Sequence, residues 1–303
     1  MLIGKPVCVA PVGDRCGEGV MWCTEEGSVF WTDVLRFLIH RYEPMTGSVR
    51  TWIFAEPVVG LAPSNFPGVL VVALGSEVML WDWARDRQLA QLFTLSGWPQ
   101  VRLNEARADP LGNFWVGSMK NNVLPDGEIG ETGTDQGVLL RIAPDLTVST
   151  WRKGLGIANT MCWQVTRGLF YSGDTLSNEI REYDYDLSSG GIENERPFLS
   201  SFERGHPDGS AIDALGYLWN CRFGGACIVR VAPDGQVDQI LEMPELNITS
   251  CCFGGSDMKS LYATTASFTR RPGDRLAGGL YRIDVDVAGA PSYPFNASQV
   301  MAR

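Results

Sequence analysis

A chain of 303 residues that is 45% hydrophobic can bury a sizeable core, and its 25 basic against 35 acidic side chains leave a formal charge of −10. That sign argues against nucleic acid and anionic membranes as partners, both being polyanions, and favours a neutral substrate or a cation. The start, MLIGKPVCVAPVGD, has no basic n-region and no long apolar stretch, and the longest clean apolar run, 69–74, is only a strand's length, so a soluble cytoplasmic protein is expected.

Eight cysteines, at positions 8, 16, 23, 162, 221, 227, 251 and 252, are dilute, and several sit inside apolar strand patterns. Buried free thiols are expected rather than a disulfide framework. Structural zinc is disfavoured, because there is no CxxC pair and the only imidazoles are His40 and His206.

In chain order, an orphan strand over 6–10 precedes six segments that each read as two or three consecutive strands. They begin near residues 28, 68, 114, 169, 218 and 260, and no helical period competes with them. Spacings of roughly 40 to 56 residues suit one four-stranded blade per repeat. The expectation is an all-β fold, a single six-bladed β-propeller over 1–303. No blade can bury both faces alone, so neighbouring sheets must pack together, and pairing of the orphan strand with the last blade would close the ring. The acidic, Gly-rich stretch 120–136 reads as a surface insertion, either a solvated excursion or a lid.

The most specific stretch is 102–119, RLNEARADPLGNFWVGSM, which runs from polar residues through a Gly-centred turn to an aromatic strand. The run 207–219, PDGSAIDALGYLW, repeats that grammar. Carboxylates and amides recur at such places: Glu18 in GEGVMW, Asn104 in RLNE, Asn159 in GIANTM and Asp208 in HPDG. Read as turns beside the innermost strands, these would converge at one mouth of the central channel. Two carboxylates and two amide oxygens form a hard donor set, suited to Ca²⁺, Mg²⁺ or Mn²⁺.

With those motifs in place, together with TSCCFGG at 249–255, the chain resembles the SMP-30/gluconolactonase family, which includes regucalcin and sugar lactonases. The resemblance implies one divalent ion at the propeller's centre, Ca²⁺ favoured over Mg²⁺, Mn²⁺, Zn²⁺ or Fe²⁺, and hydrolysis of sugar lactones to aldonic acids. It implies Glu18, Asn159 and Asp208 as metal ligands, Asp208 also as catalytic base, and Arg102 and Asn104 as holders of substrate hydroxyls. Asn122 stands near the place where relatives can put a glutamate facing the sugar, so looser selectivity among pentose- and hexose-derived lactones is expected. The chain departs from the family at two further positions. Glu105 replaces an aspartate after Asn104, and Thr160 replaces the glycine after Asn159, where a β-branched residue argues against a positive φ. The other readings are a calcium-binding or interaction propeller and a paraoxonase- or phosphotriesterase-like hydrolase. No GxSxG elbow supports serine catalysis, and His206 reads as a loop residue.

Overall fold

The computed structural model describes residues 2–200 and 202–302. Six four-stranded antiparallel sheets form six blades, and helix is confined to short turns. The innermost strands are Gly17–Cys23, Val58–Pro63, Val101–Ala108, Ala158–Gln164, His206–Ile212 and Asn247–Gly254. Each touches the next, and the last touches the first, so the blades close around one channel as a six-bladed β-propeller. The strand Val7–Ala10 pairs antiparallel with Leu280–Asp284 in the sixth sheet, which thus joins the two ends of the chain.

The strands taken from sequence as the first of each repeat are in fact the second. The true innermost strands of blades one, three, four and five are the stretches around Glu18, Asn104, Asn159 and Asp208 that read as turns. The cause is a register irregularity, present in all six innermost strands, between Glu18 and Met21, Val58 and Gly60, Leu103 and Ala106, Asn159 and Met161, Pro207 and Ser210, and Ile248 and Cys251. A bulge breaks the two-residue alternation by which a strand is recognised, and it re-aims the side chains around it. Crowding explains its glycines: a Cβ at Gly209 would come within 2.5 Å of Ser250 Oγ on the neighbouring innermost strand.

Between blades the core is aromatic, with Trp31, Trp81, Trp115 and Trp219 all but sealed from solvent. Each indole N–H finds a carboxylate: Asp14 at 2.7 Å, Asp86 at 3.1 Å, Asp109 at 2.8 Å and Asp213 at 3.0 Å respectively. The repeated DPLGNFW and DALGYLW runs owe their likeness to this. Asp109 and Asp213 each follow an innermost strand, accept backbone N–H groups of the next turn, and tie it to the tryptophan six residues on.

Unforeseen from sequence is the C-terminal strap. After the last blade it bridges Asp213 at Gly289, donates from Asn296 N to Gly112 O at 3.0 Å, and bridges Ser64 at Phe295, crossing the channel mouth where the innermost strands end. Phe295 is fully buried and meets Phe114 edge-on at 6.5 Å. Phe295→Ala should therefore destabilise the fold by about 3–5 kcal/mol, the range for deleting a sealed phenyl ring. Urea denaturation checks this. A midpoint unchanged from wild type would mean that the strap is not part of the cooperative core.

Candidate active site

At the opposite mouth, where the innermost strands begin, the bulges bring Glu18, Asn104, Asn159 and Asp208 toward one another from blades one, three, four and five. Glu18 accepts the Gly19 N–H at 3.1 Å, and Gly19 takes a φ of 56° that suits glycine. Glu18 and Asp208 lie close enough to share a proton, and Asp208 Oδ1 is buried with no hydrogen-bond partner. Burial first holds both carboxyls well above the ordinary carboxylate range; the charge of Glu105 adds to it at Glu18, and the charges of Glu18 and then Glu105 add to it at Asp208. A pair of this kind is incomplete without a positive charge.

Asn159 supplies the third donor. Its Nδ2 donates to Thr175 Oγ1 at 2.8 Å, which turns its Oδ1 the other way, toward Asn104 Nδ2 at 3.4 Å. Asn104 Nδ2 also donates to Ala158 O at 2.9 Å, and its Oδ1 accepts Arg102 Nη1 at 2.7 Å. Among the described residues no three Asp, Glu, His or Cys side chains gather as a metal cluster. The donor set on offer is thus two carboxylates and an amide oxygen. It fits a hard divalent cation, because it brings together an orphaned carboxylate oxygen, paired negative charge and an oriented carbonyl.

Arg102 is 6% exposed and has no ion pair among the described contacts. Its Nε and Nη2 donate to Asn122 Oδ1 at 3.2 and 3.0 Å, and its Nη1 donates to Leu103 O and Asn104 Oδ1. Most of its fork is therefore spent inside the protein. Burial pulls its pKa down to about 10.

Several residues that sequence reasoning passed over or misjudged belong to the site. Thr160 does adopt a positive φ, 51°, contrary to expectation. Its hydroxyl donates to Asp208 O at 2.5 Å and meets Ser210 Oγ at 2.7 Å, contacts that hold a β-branched residue in a conformation costing about 1–3 kcal/mol. Glu105 is buried with both oxygens unbonded, 3.3 Å from Arg107 Nε, and burial raises its pKa despite that neighbour. Arg107 donates to Val20 O and Ser250 Oγ, both at 3.2 Å, and lines a separate cavity at the strap end of the channel. Cys16 reaches the mouth as well, where burial, then the charge of Glu18 and Asp208, pushes its thiol well up. His206 opens an innermost strand and is exposed. The departures at 105 and 160 were the sequence signals for this shell. Thr175 gave none.

No helix among the described residues is long and apolar enough to cross a membrane. The family model described as SMP-30/Gluconolactonase/LRE-like region matches residues 16–267. The chain is 31% identical to the pentonolactonase XacC of Haloferax volcanii over 92% of its own length and 94% of that protein's. It is 30% identical to regucalcin of Oryctolagus cuniculus over 96% and 98%. Among solved structures, a luciferin-regenerating enzyme superposes with a TM-score of 0.85 at 27% identity, covering 97% of this chain and 99% of the other. A match that spans all six innermost strands whole settles descent: the chain belongs to the SMP-30/gluconolactonase/LRE-like family.

Proposed function

We propose that this protein is a divalent-metal-dependent lactonase that opens small aldonolactones, derived from pentoses and hexoses, to aldonic acids. The observation that carries the reading is the buried Glu18–Asp208 pair with its orphaned Asp208 Oδ1, set beside an amide oxygen at a polar mouth. Glu18, Asn159 and Asp208 would hold the ion, Ca²⁺ foremost. When bound, such an ion supplies Lewis acidity toward a carbonyl oxygen.

The side chains do the rest. Asp208 Oδ1 takes the proton from the attacking water as the new carbon–oxygen bond forms at the lactone carbonyl. The ring carbon–oxygen bond then breaks, and the proton returns to the departing alkoxide to give the open hydroxy acid. Arg102 acts from beneath, fixing Asn104 and Asn122 so that the rim is preset. Asn122 Oδ1 is committed to Arg102, which leaves its Nδ2 to face a substrate hydroxyl. The relatives named pentonolactonase and regucalcin support this class, and the polar rim favours a hydroxylated ring over the apolar substrates of a paraoxonase-like hydrolase.

Stripping the ion should abolish hydrolysis while the propeller stays folded, because the blades close without it. Glu18→Gln should weaken ion binding and recover most of its rate at saturating ion. Asp208→Asn should remain slower by about 10²-fold or more, having lost the base. Ion titrations with kcat measured at each plateau separate the two; full recovery of Asp208→Asn would make Asp208 a ligand only.

Arg102→Ala should lower kcat/KM on hydroxylated lactones about tenfold or more, relative to an apolar lactone of equal ring size. Equal losses on both would remove the hydroxyl-reading role and promote the paraoxonase-like alternative.

The raised carboxyls also fix a pH dependence. Protons compete with the ion at a pair whose pKa lies above the usual range, so apparent affinity should rise with pH through neutrality and level off once both groups are ionised. Calorimetry in buffers of different ionisation enthalpy should show proton release on binding that falls as the pH is raised from roughly 6 to 9. An affinity flat across that span would contradict the shared-proton pair.

A further inference from the structure

Thr175 lies outside the innermost strands, directly after the strand Leu169–Asp174, and nothing in its sequence context marks it. Its hydroxyl nevertheless touches both candidate ligand segments. It accepts from Asn159 Nδ2 at 2.8 Å and stands 2.8 Å from the carbonyl of Pro207, the residue before Asp208. The direction of these bonds is forced. A carbonyl can only accept, so the Thr175 proton goes to Pro207 O, and what Thr175 offers Asn159 is a lone pair. Asn159 must then present its NH₂ face to Thr175, and its carbonyl oxygen is left for the channel. The reverse orientation would point two N–H donors at a cation. The carbonyl on the other side of the Asp208 α-carbon is held from the same blade, by Thr160 at 2.5 Å, so the Asp208 backbone is gripped on both flanks.

We propose that Thr175 is the positioning residue of the metal centre: it selects the amide face that Asn159 turns to the ion and ties that choice to the seat of Asp208. This rests on the ion-binding reading above, yet it is separable from it. Residues that orient a ligand from behind are worth about 10–100-fold in metal affinity.

The test is calorimetric titration of the metal-stripped protein with CaCl₂ and MnCl₂, together with melting in EDTA. Thr175→Val keeps the shape and deletes the hydroxyl; it should weaken binding about 10–100-fold while melting in EDTA within a few degrees of wild type. Thr175→Ser, which keeps the hydroxyl, should bind within about threefold of wild type. An Asn159→Asp background removes the two-sidedness of the amide, and there Thr175→Val should change affinity by less than about threefold. Should the valine variant not fold, Thr175→Ala takes its place in the same comparisons. Wild-type binding that is unmoved by Thr175→Val, or a loss as large in the aspartate background as outside it, would overturn the assignment of Thr175 alone. Wild-type protein that binds neither ion would overturn the ion-binding reading itself.

Discussion

Six strands that share one axis cannot all keep regular pairing and regular side-chain alternation. Around this channel neighbouring backbones approach so closely that a Cβ at Gly60 would come within 2.8 Å of Ala106, and one at Gly209 within 2.5 Å of Ser250. Each innermost strand yields by bulging, and the bulge leaves its polar residues turned inward instead of alternating between two sheet faces. The candidate site is therefore a product of ring closure. Glu18, Asn104, Asn159 and Asp208 come from four blades, and each is set by the irregularity in its own strand. A donor set fixed in this way by the scaffold needs no ligand to assemble it, which is what preorganisation requires.

The charge balance along the channel has the same origin. Glu18, Asp208 and Glu105 all lie in its upper part, and Arg107 lies beneath them, reaching Val20 O and Ser250 Oγ so that blades one, three and six meet at one guanidinium. Arg107 faces Glu105, so that carboxylate is partly answered from within the protein. Glu18 and Asp208 form no ion pair among the described contacts, although the charge of Arg107 reaches Glu18 from a distance, and their neighbours Gly19 and Asn220 donate only dipoles, to the Glu18 carboxylate and the Asp208 main-chain carbonyl. A pair whose protons are held this high is one from which a divalent cation would displace them. That balance, rather than any count of ligands, argues against reading the pair as a mere structural hydrogen bond.

What the sequence disclosed follows from which features are local. Alternating strands, their spacing, and the Asp-to-Trp runs at 109–115 and 213–219 are short-range patterns, and six blades could be counted from them. The innermost strands that carry Glu18, Asn104, Asn159 and Asp208 read as turns because a bulge rich in Gly, Asn and acidic residues looks like one in sequence. The strap was invisible because its partners at Ser64, Gly112 and Asp213 are scattered along the chain. Thr160 was misjudged for an instructive reason. Propensity disfavours positive φ at a β-branched residue, but a buried carbonyl on the next blade and the hydroxyl of Ser210 reward it there, so tertiary contact overrides the local preference.

The insertion at 120–136 shows how the rim acquires its shape. Val123 is buried against the same core cluster as Val34 and Leu35, and Ile129 packs beside it, paired with Val123 across a bridge. An exposed Arg15–Glu128 pair at 2.8 Å adds little by itself, about 0–1 kcal/mol, so the apolar anchor carries the docking. The loop leaves the innermost region through Asn121 and Asn122, and Asn122 is where Arg102 spends two of its donors. A buried arginine whose bonds go to amide and carbonyl oxygens, with no carboxylate to pair it, keeps its full charge beneath the rim. Its place in the structure is to hold the amides of Asn104 and Asn122. The loop that supplies Asn122 is thus anchored beside the candidate site through Val123 and Ile129.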